Sequence, residues 1–347
     1  MRVAIVNDMF AAVECLRRSV VSGGHEVAWI ARNGEEAVSL CQSSPPDLVL
    51  MDLYMPVMDG VVATREIMEK APCPIVVVTS SVEDHAGRAF DAMGVGALDA
   101  VNTPVCGAGV DVLGASDLLT KIDTIERLIK NETSRARSAR PELPKQFEKT
   151  AVPLVVIGAS SGGPQALAEV LAELPRDFPA AVTVVQHVDA HFAGELADWL
   201  NQQCSLTVGT AKNGEGPKVG DVVIAQTNDH LRLDESGRFV YSEDPKEMVY
   251  RPSVDVFFES VATNWTGPVL GILLTGMGRD GAEGLLELKK RGFFTIAQDK
   301  ASCAVFGMPK AAIEINAAVR VCSLSEIGRE VKVWQPLSKA IADGESD

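Results

Sequence analysis

The chain has 347 residues, enough for two or three separately cored domains. Its 46% hydrophobic and 23% charged content exclude a mainly disordered protein. A formal charge of −15 argues against a protein that grips nucleic-acid backbones. That charge is unevenly spread: residues 1–129 and 151–347 each carry −9, whereas 130–150 carry +3.

The N-terminal apolar run stops at Asn7-Asp8, too early for a signal peptide. No stretch approaches the roughly 20 apolar residues of a membrane span, so a soluble, cytoplasmic protein is expected. The seven cysteines (Cys15, Cys41, Cys73, Cys106, Cys204, Cys303 and Cys322) are scattered with no C-x-x-C pair, which reads as reduced, mostly buried thiols.

Over the first 130 residues, apolar runs at Val3–Val6, Val27–Ile30, Leu48–Met51, Ile75–Val78 and near Val101 alternate with helical patterns. Those helices start near Met9, Asn33, Asp59, Glu83 and Ser116. Five such repeats predict a doubly wound parallel sheet with functional groups at the carboxyl ends of its strands. Asp8, Asp52, Thr79 and Thr103-Pro104 fall at those ends. Carboxylates gathered there suit Mg²⁺, and one of them beside the ion can accept a phosphoryl group. Acidic helix caps with no joint purpose fit the same spacing. Residues 130–150 lack a steady apolar period and read as a linker.

A second α/β series follows, with strands expected at Val152–Ile157, Ala181–Gln186, Val222–Ile224, Val269–Leu274 and Thr295–Ala297, and a hairpin over Leu231–Tyr241. Helices are expected at 164–174, 192–203, 254–265, 280–291, 308–316 and 324–333. The turn Gly158-Ala159-Ser160-Ser161-Gly162-Gly163-Pro164 joins the first of these strands to the first helix. It lifts a serine off the sheet edge at the positive end of a helix, and Gly158-x-Ser160-x-Gly162 fits a nucleophile elbow. A capping serine or a phosphate-binding loop fits this turn equally.

A serine nucleophile needs a base and a group to orient it. Among His187, His191 and His230, position favours His187, which closes the strand ending at Gln186. Asp280, in the glycine-rich turn Thr275–Gly281, is the favoured partner over Asp189, Asp229 and Asp299, although an N-cap role explains it more simply.

Two families are resembled. Leu50-Met51-Asp52-Leu53-Tyr54-Met55-Pro56-Val57-Met58-Asp59-Gly60 is similar to the phosphoacceptor signature of response-regulator receiver domains, and the similarity spans residues 1–130. It implies a flavodoxin-like fold with Asp52 as phosphoryl acceptor. Asp8, Asp52 and the backbone carbonyl of Tyr54 would hold Mg²⁺, with Thr79 and Thr103 lining the phosphoryl pocket. Asn7 stands where a second acid is common, Thr103 where lysine is usual, and Ala100 where an aromatic switch residue is usual.

The Gly158–Pro164 turn, Val185-Gln186-His187, Arg251-Pro252-Ser253-Val254-Asp255, Thr275–Gly281 and Ala297-Gln298-Asp299…Phe306-Gly307-Met308-Pro309 resemble the successive motifs of the CheB methylesterase domain. This resemblance implies Ser160 as nucleophile, His187 as general base and Asp280 as its partner, with the backbone at Met277 in the oxyanion hole; Ser161 is then structural. The implied organisation is a receiver over 1–129, a linker over 130–150 and a mainly parallel α/β methylesterase domain with a β-hairpin over 151–347.

The implied activity is phosphorylation-gated hydrolysis of glutamate γ-methyl esters on chemoreceptors, with deamidation of receptor glutamines and no cofactor in the catalytic domain. The implied partners are a methyl-accepting chemoreceptor and a CheA-type histidine kinase, with no nucleic acid and no membrane insertion. Asn7-Asp8-Met9 and Thr103-Pro104 further resemble the Wsp-type, surface-sensing branch. A regulator acting by binding and a general α/β serine esterase are the competing readings, separable by DNA-binding and small-ester assays.

Overall fold

The computed structural model describes residues 1–80, 85–106, 112–130, 152–246, 248 and 250–334. The expected linker and the last thirteen residues lie outside them, apart from Lys130. The chain divides into two compact units, Met1–Ser134 and Arg135–Asp347.

In the first unit, strands β1 (Arg2–Val6), β2 (Glu26–Ala31), β3 (Leu48–Met51), β4 (Ile75–Thr79) and β5 (Asp99–Asn102) alternate with helices. These are α1 (Phe10–Ser22), α2 (Gly34–Ser43), α3 (Gly60–Lys70), α4 (Ala86–Gly94) and α5 (Ala115–Lys130). A short antiparallel ribbon of β6 (Val105–Cys106) and β7 (Val112–Leu113) precedes α5. The strands β1, β3 and β4 are nearly continuous buried Val, Ile and Leu, as a parallel sheet covered on both faces requires.

Sheet order is β2-β1-β3-β4-β5, all parallel, so the direction of winding reverses between β1 and β3. Asp8 follows β1 and Asp52 follows β3, one on each side of that switch point. Helices start where polar side chains take free N–H groups. Asn33 accepts from Glu36 N–H before α2, and Asp59 accepts from Val61 and Val62 N–H before α3.

One expectation is corrected here. Cys15 on α1 and Cys106 on β6 form a disulfide, while Cys41, Cys73, Cys204, Cys303 and Cys322 are free. The two partners are 91 residues apart in sequence, and only the packing of α1 beside β6 brings their Cα atoms to 5.5 Å.

The second unit runs β8 (Leu154–Ala159), α6 (Gly163–Ala172), β9 (Ala181–Gln186), α7 (Ala190–Gln203), β10 (Thr207–Thr210) and β11 (Asp221–Ile224). The hairpin β12 (His230–Leu233) and β13 (Phe239–Ser242) comes next, then α8 (Val254–Asn264), β14 (Val269–Leu273) and α9 (Ala282–Lys290). It closes with β15 (Phe294–Gln298), α10 (Met308–Glu314), β16 (Arg320–Cys322) and α11 (Leu324–Val333). Seven strands pair in parallel in the order β10-β11-β9-β8-β14-β15-β16. The two edge strands β10 and β16 were not expected, because they are short, partly exposed and carry no apolar run.

The winding reverses where β8 lies between β9 and β14, so the ends of these three strands share one crevice. Phe257, Phe258 and Val261 of α8 are fully buried in a cluster with Val185 and Leu273 of the sheet and Leu285 and Leu288 of α9. Burying each such side chain contributes roughly 1.5–3 kcal/mol, which anchors α8 with its N-terminus near the crevice. Among the described residues no helix is long and apolar enough to cross a membrane.

Candidate active site

The turn after β8 is built by backbone bonds. Ser160 N–H donates to Thr275 O at 3.1 Å, and Gly163 N–H donates back to Ser160 O at 2.7 Å. Gly162 sits at φ 74°, ψ 0°, the geometry of the third residue of a type II turn, which a side chain disfavours. Helix α6 then starts with Pro164 in its first turn. The Gln186 Nε2 donates to Ser160 O at 2.8 Å and so pins the turn from the neighbouring strand. A Cβ on Gly276 would stand 2.9 Å from the Ser160 Cβ, so the turn after β14 approaches the serine as only glycine permits.

His187 is the next residue after β9, and its N–H donates to Ala159 O at 3.0 Å. Since Ala159 pairs with Gln186 in the parallel register, Ser160 and His187 leave adjacent strands side by side. The His187 Nε2 lies 2.7 Å from Asp280 Oδ2, both side chains being over nine-tenths buried. Asp280 does not cap α9, whose N-cap is Gly281. Instead it receives the N-terminus of α8: Ser253 Oγ donates to Oδ1 at 2.7 Å, Val254 N–H to Oδ2 at 2.7 Å and Asp255 N–H to Oδ1 at 3.1 Å.

Burial opposes ionisation of Asp280, yet the bond and charge of His187 with the Val254 and Ser253 donors outweigh it and hold the carboxyl below its ordinary range. An ionised Asp280 can only accept, so the imidazole proton resides on Nε2 and the lone pair on Nδ1. Nδ1 is buried with no hydrogen-bond partner among the described residues, Ser160 Oγ included, so its lone pair is unengaged. The Tyr250 ring stacks on the imidazole at 4.4 Å between centroids and 6° between planes.

Two of the three rival acids are engaged elsewhere. Asp299 Oδ1 accepts from Ser302 N–H and Oγ–H, and Asp189 accepts from Asn228. The turn after β14 is fixed by Thr275 N–H to Gln298 Oε1 at 2.7 Å, Gly276 N–H to Val305 O and Met308 N–H to Gly276 O. Among the described residues no acceptor takes the Met277 N–H. Thr275 Oγ1 donates to Ser161 O at 3.0 Å, so Ser161 serves the turn through its carbonyl.

Tyr250 stacks on His187 but carried no signature in the sequence, whereas Gln186 and Ser253 fall within resembled motifs but had no role assigned to them. Ser253 could have been found, since an N-cap serine three residues ahead of buried Val256 is a helix-start signal.

In the first unit, Asp52 is 9% exposed and its Oδ1 accepts from Leu53 N–H at 2.7 Å. Burial, with the charge of Asp8 adding to it, pushes its carboxyl up to about 6 despite the Leu53 and Tyr54 N–H groups. Asn7 donates from Nδ2 to Asp52 Oδ2 at 2.9 Å, so a neutral donor stands where a second acid is common. Asp8 and Asp52, close enough for the charge of one to raise the other, offer the hard carboxylate oxygens that suit Mg²⁺, which keeps several waters. Thr79 ends β4 buried, and its carbonyl accepts from Thr103 N–H at 2.8 Å, which sets the two threonines side by side at the ends of β4 and β5. Tyr54 is 48% exposed and lies against His85 and the Arg88 guanidinium, which also pairs with Asp59 at 2.8 Å.

Comparison with known proteins matches both units. The CheB methylesterase family matches residues 155–331, and the response regulator receiver domain family matches residues 3–107. A Pseudomonas aeruginosa protein named protein-glutamate methylesterase/protein-glutamine glutaminase 3 is 52% identical over 94% of this chain and 97% of its own length. A Cupriavidus metallidurans protein of the same name, numbered 2, is 53% identical over 94% of this chain and 96% of its own. The crystal structure of the Thermotoga maritima CheB methylesterase catalytic domain is 38% identical, with a TM-score of 0.51, covering 53% of this chain and 98% of that one. A receiver fold followed by a crevice where serine, histidine and aspartate converge, matched over nearly full length by such relatives, makes this chain a member of the CheB methylesterase family that carries an N-terminal receiver domain.

Proposed function

We propose that the chain is a protein-glutamate methylesterase and protein-glutamine glutaminase acting on chemoreceptors in a chemotaxis-type pathway. The observation that carries this reading is the buried His187–Asp280 bond beside Ser160, with Nδ1 left as the free base. Ser160 Oγ attacks the γ-ester carbonyl while His187 Nδ1 takes its proton, and Asp280 stabilises the imidazolium. The Met277 N–H donates to the oxyanion, a contribution typically worth ~3–4 kcal/mol. Collapse expels methanol, which leaves with the Nδ1 proton. Water, deprotonated by the same nitrogen, then frees glutamate and Ser160. With glutamine the leaving group is ammonia, and the other steps are unchanged.

In the receiver, Asp52 is the proposed phosphoryl acceptor. Asp8, Asp52 and the Tyr54 carbonyl would hold Mg²⁺, which neutralises charge during transfer, while Thr79 and Thr103 bond phosphoryl oxygens. The phosphodonor would be a CheA-type histidine kinase, and phosphorylation would set the rate of methanol release. The domain limits proposed are 1–129 and 151–347, joined through 130–150. Asn7-Asp8-Met9 and Thr103-Pro104 support placement in the Wsp-type branch, and the proposed site of action is the cytoplasm.

The test is methanol release from methylated receptor, with and without phosphodonor. Ser160→Ala, His187→Ala and Asp280→Ala should abolish it, and Asp52→Asn should abolish only the response to phosphodonor. Full activity in Ser160→Ala would refute the esterase reading.

A further inference from the structure

We propose that His230, on the hairpin and outside the reaction chemistry, is a positioning residue for Asp280, acting through Ser253; this rests on the esterase reading above. His230 opens β12 and is fully buried, yet both ring nitrogens are engaged. Nε2 lies 3.1 Å from Pro245 O, and Nδ1 lies 3.2 Å from Ser253 N. A carbonyl can only accept, so the ring proton sits on Nε2, and Nδ1 is the acceptor for the Ser253 N–H.

Ser253 is likewise committed on every side. As N-cap of α8 its Oγ accepts from Val256 N–H, which turns its single proton away from the helix and onto Asp280 Oδ1 at 2.7 Å. The imidazole of His230 therefore fixes the backbone of the residue whose hydroxyl holds the carboxylate that orients His187. The chain of contacts is Pro245 O, His230, Ser253, Asp280, His187, with one proton between each pair.

The hairpin is secured to α8 independently of His230. Leu233 N–H donates to Ser260 Oγ at 3.0 Å and Asn264 Nδ2 donates to Leu233 O at 2.7 Å. The histidine is thus not the only tie between the two elements. Among the described residues, it alone supplies an acceptor for the N–H of the α8 N-cap, Ser253. A buried histidine serving merely as satisfied filler needs partners, but not this one.

The experiment compares His230→Asn, whose Oδ1 can replace the Nδ1 acceptor, with His230→Gln, whose amide reaches the Nε2 position and leaves Ser253 N–H unpaired. Methanol release should fall ~10-fold in kcat with KM nearly unchanged in His230→Gln, and stay within about threefold in His230→Asn. Ser253→Ala should lose a similar factor, and adding His230→Gln to it should cost no more than about twofold further. Wild-type kcat in His230→Gln, or full additivity with Ser253→Ala, would overturn the proposal. So would unfolding of both His230 variants in thermal melts, which assigns the residue to the fold alone. An active wild type with inactive Ser160→Ala beside any of these results would leave the esterase reading standing, whereas an active Ser160→Ala would remove that reading itself.

Discussion

Asp280 accepts a hydrogen bond from His187 while the N-terminus of α8 faces it from the other side, so one carboxylate links a strand-end histidine to a helix it does not belong to. Ser253 and the first two N–H groups of α8 keep that carboxylate ionised in a buried site. The consequence is a defined tautomer of His187. In Asp280→Asn the amide can donate toward Nε2 and favour the proton on Nδ1, where it blocks the base. We expect kcat for methanol release to fall about 10³–10⁴-fold with the protein still folded by circular dichroism.

Gly276 and Ser160 are in close apposition. In Gly276→Ala the new methyl meets Met308 Sδ and lies 2.9 Å from Ser160 Cβ. Met308 can move its thioether, but Ser160 sits on a turn closed by backbone bonds and must shift with it. A loss of ~10²-fold in kcat is expected, read by steady-state methanol release, with slower Ser160 labelling by an organophosphonate in proportion.

Asp255 gives a stability prediction with a definite sign. Burial, with the charge of Asp280 adding to it, pushes its carboxyl up to about 7 against the Gly284 N–H. The folded protein therefore holds a proton between about pH 4 and 7 that the unfolded chain has released, and stability falls as pH rises through this window. Asp255→Asn keeps an acceptor for Gly284 N–H and removes the charge. It should unfold at higher denaturant at pH 8, by on the order of 1–2 kcal/mol, with the gain shrinking toward pH 4. Urea titrations at the two pH values measure it.

Asn7 tests the receiver pocket. Its amide donates to Asp52, relieving a buried carboxylate when no cation is present. Asn7→Asp exchanges that donor for a third negative charge beside Asp8 and Asp52. The metal-free protein should melt several degrees lower, and Mg²⁺ affinity by calorimetry should rise roughly tenfold. Unchanged affinity would place the cation away from Asn7.

Much of the site was legible one residue at a time. Ser160 and His187 are readable because each follows a buried apolar strand, and in a parallel sheet strand ends gather at one rim. Asp52 and Asp8 are readable for the same reason. Asp280 was legible as a candidate but not as what it is, because a carboxylate just before a helix looks like a cap for that helix. The bonds show it receiving α8 instead. The stacking of Tyr250 on His187 left no pattern at all, since ring contacts between a loop and a strand end carry no period.

The sequence by itself determined two α/β units, the strands that build their cores and the residue types at the strand ends, because hydrophobic periodicity and turn chemistry act over a few neighbouring residues. Tertiary structure alone decided the pairing of Cys15 with Cys106, the addition of β10 and β16 at the sheet edges, and the joining of His230, Ser253, Asp280 and His187 into one line of hydrogen bonds. These relationships bring together residues from different elements of each unit. Their geometry follows from strand order and helix packing, which no local window of the chain encodes.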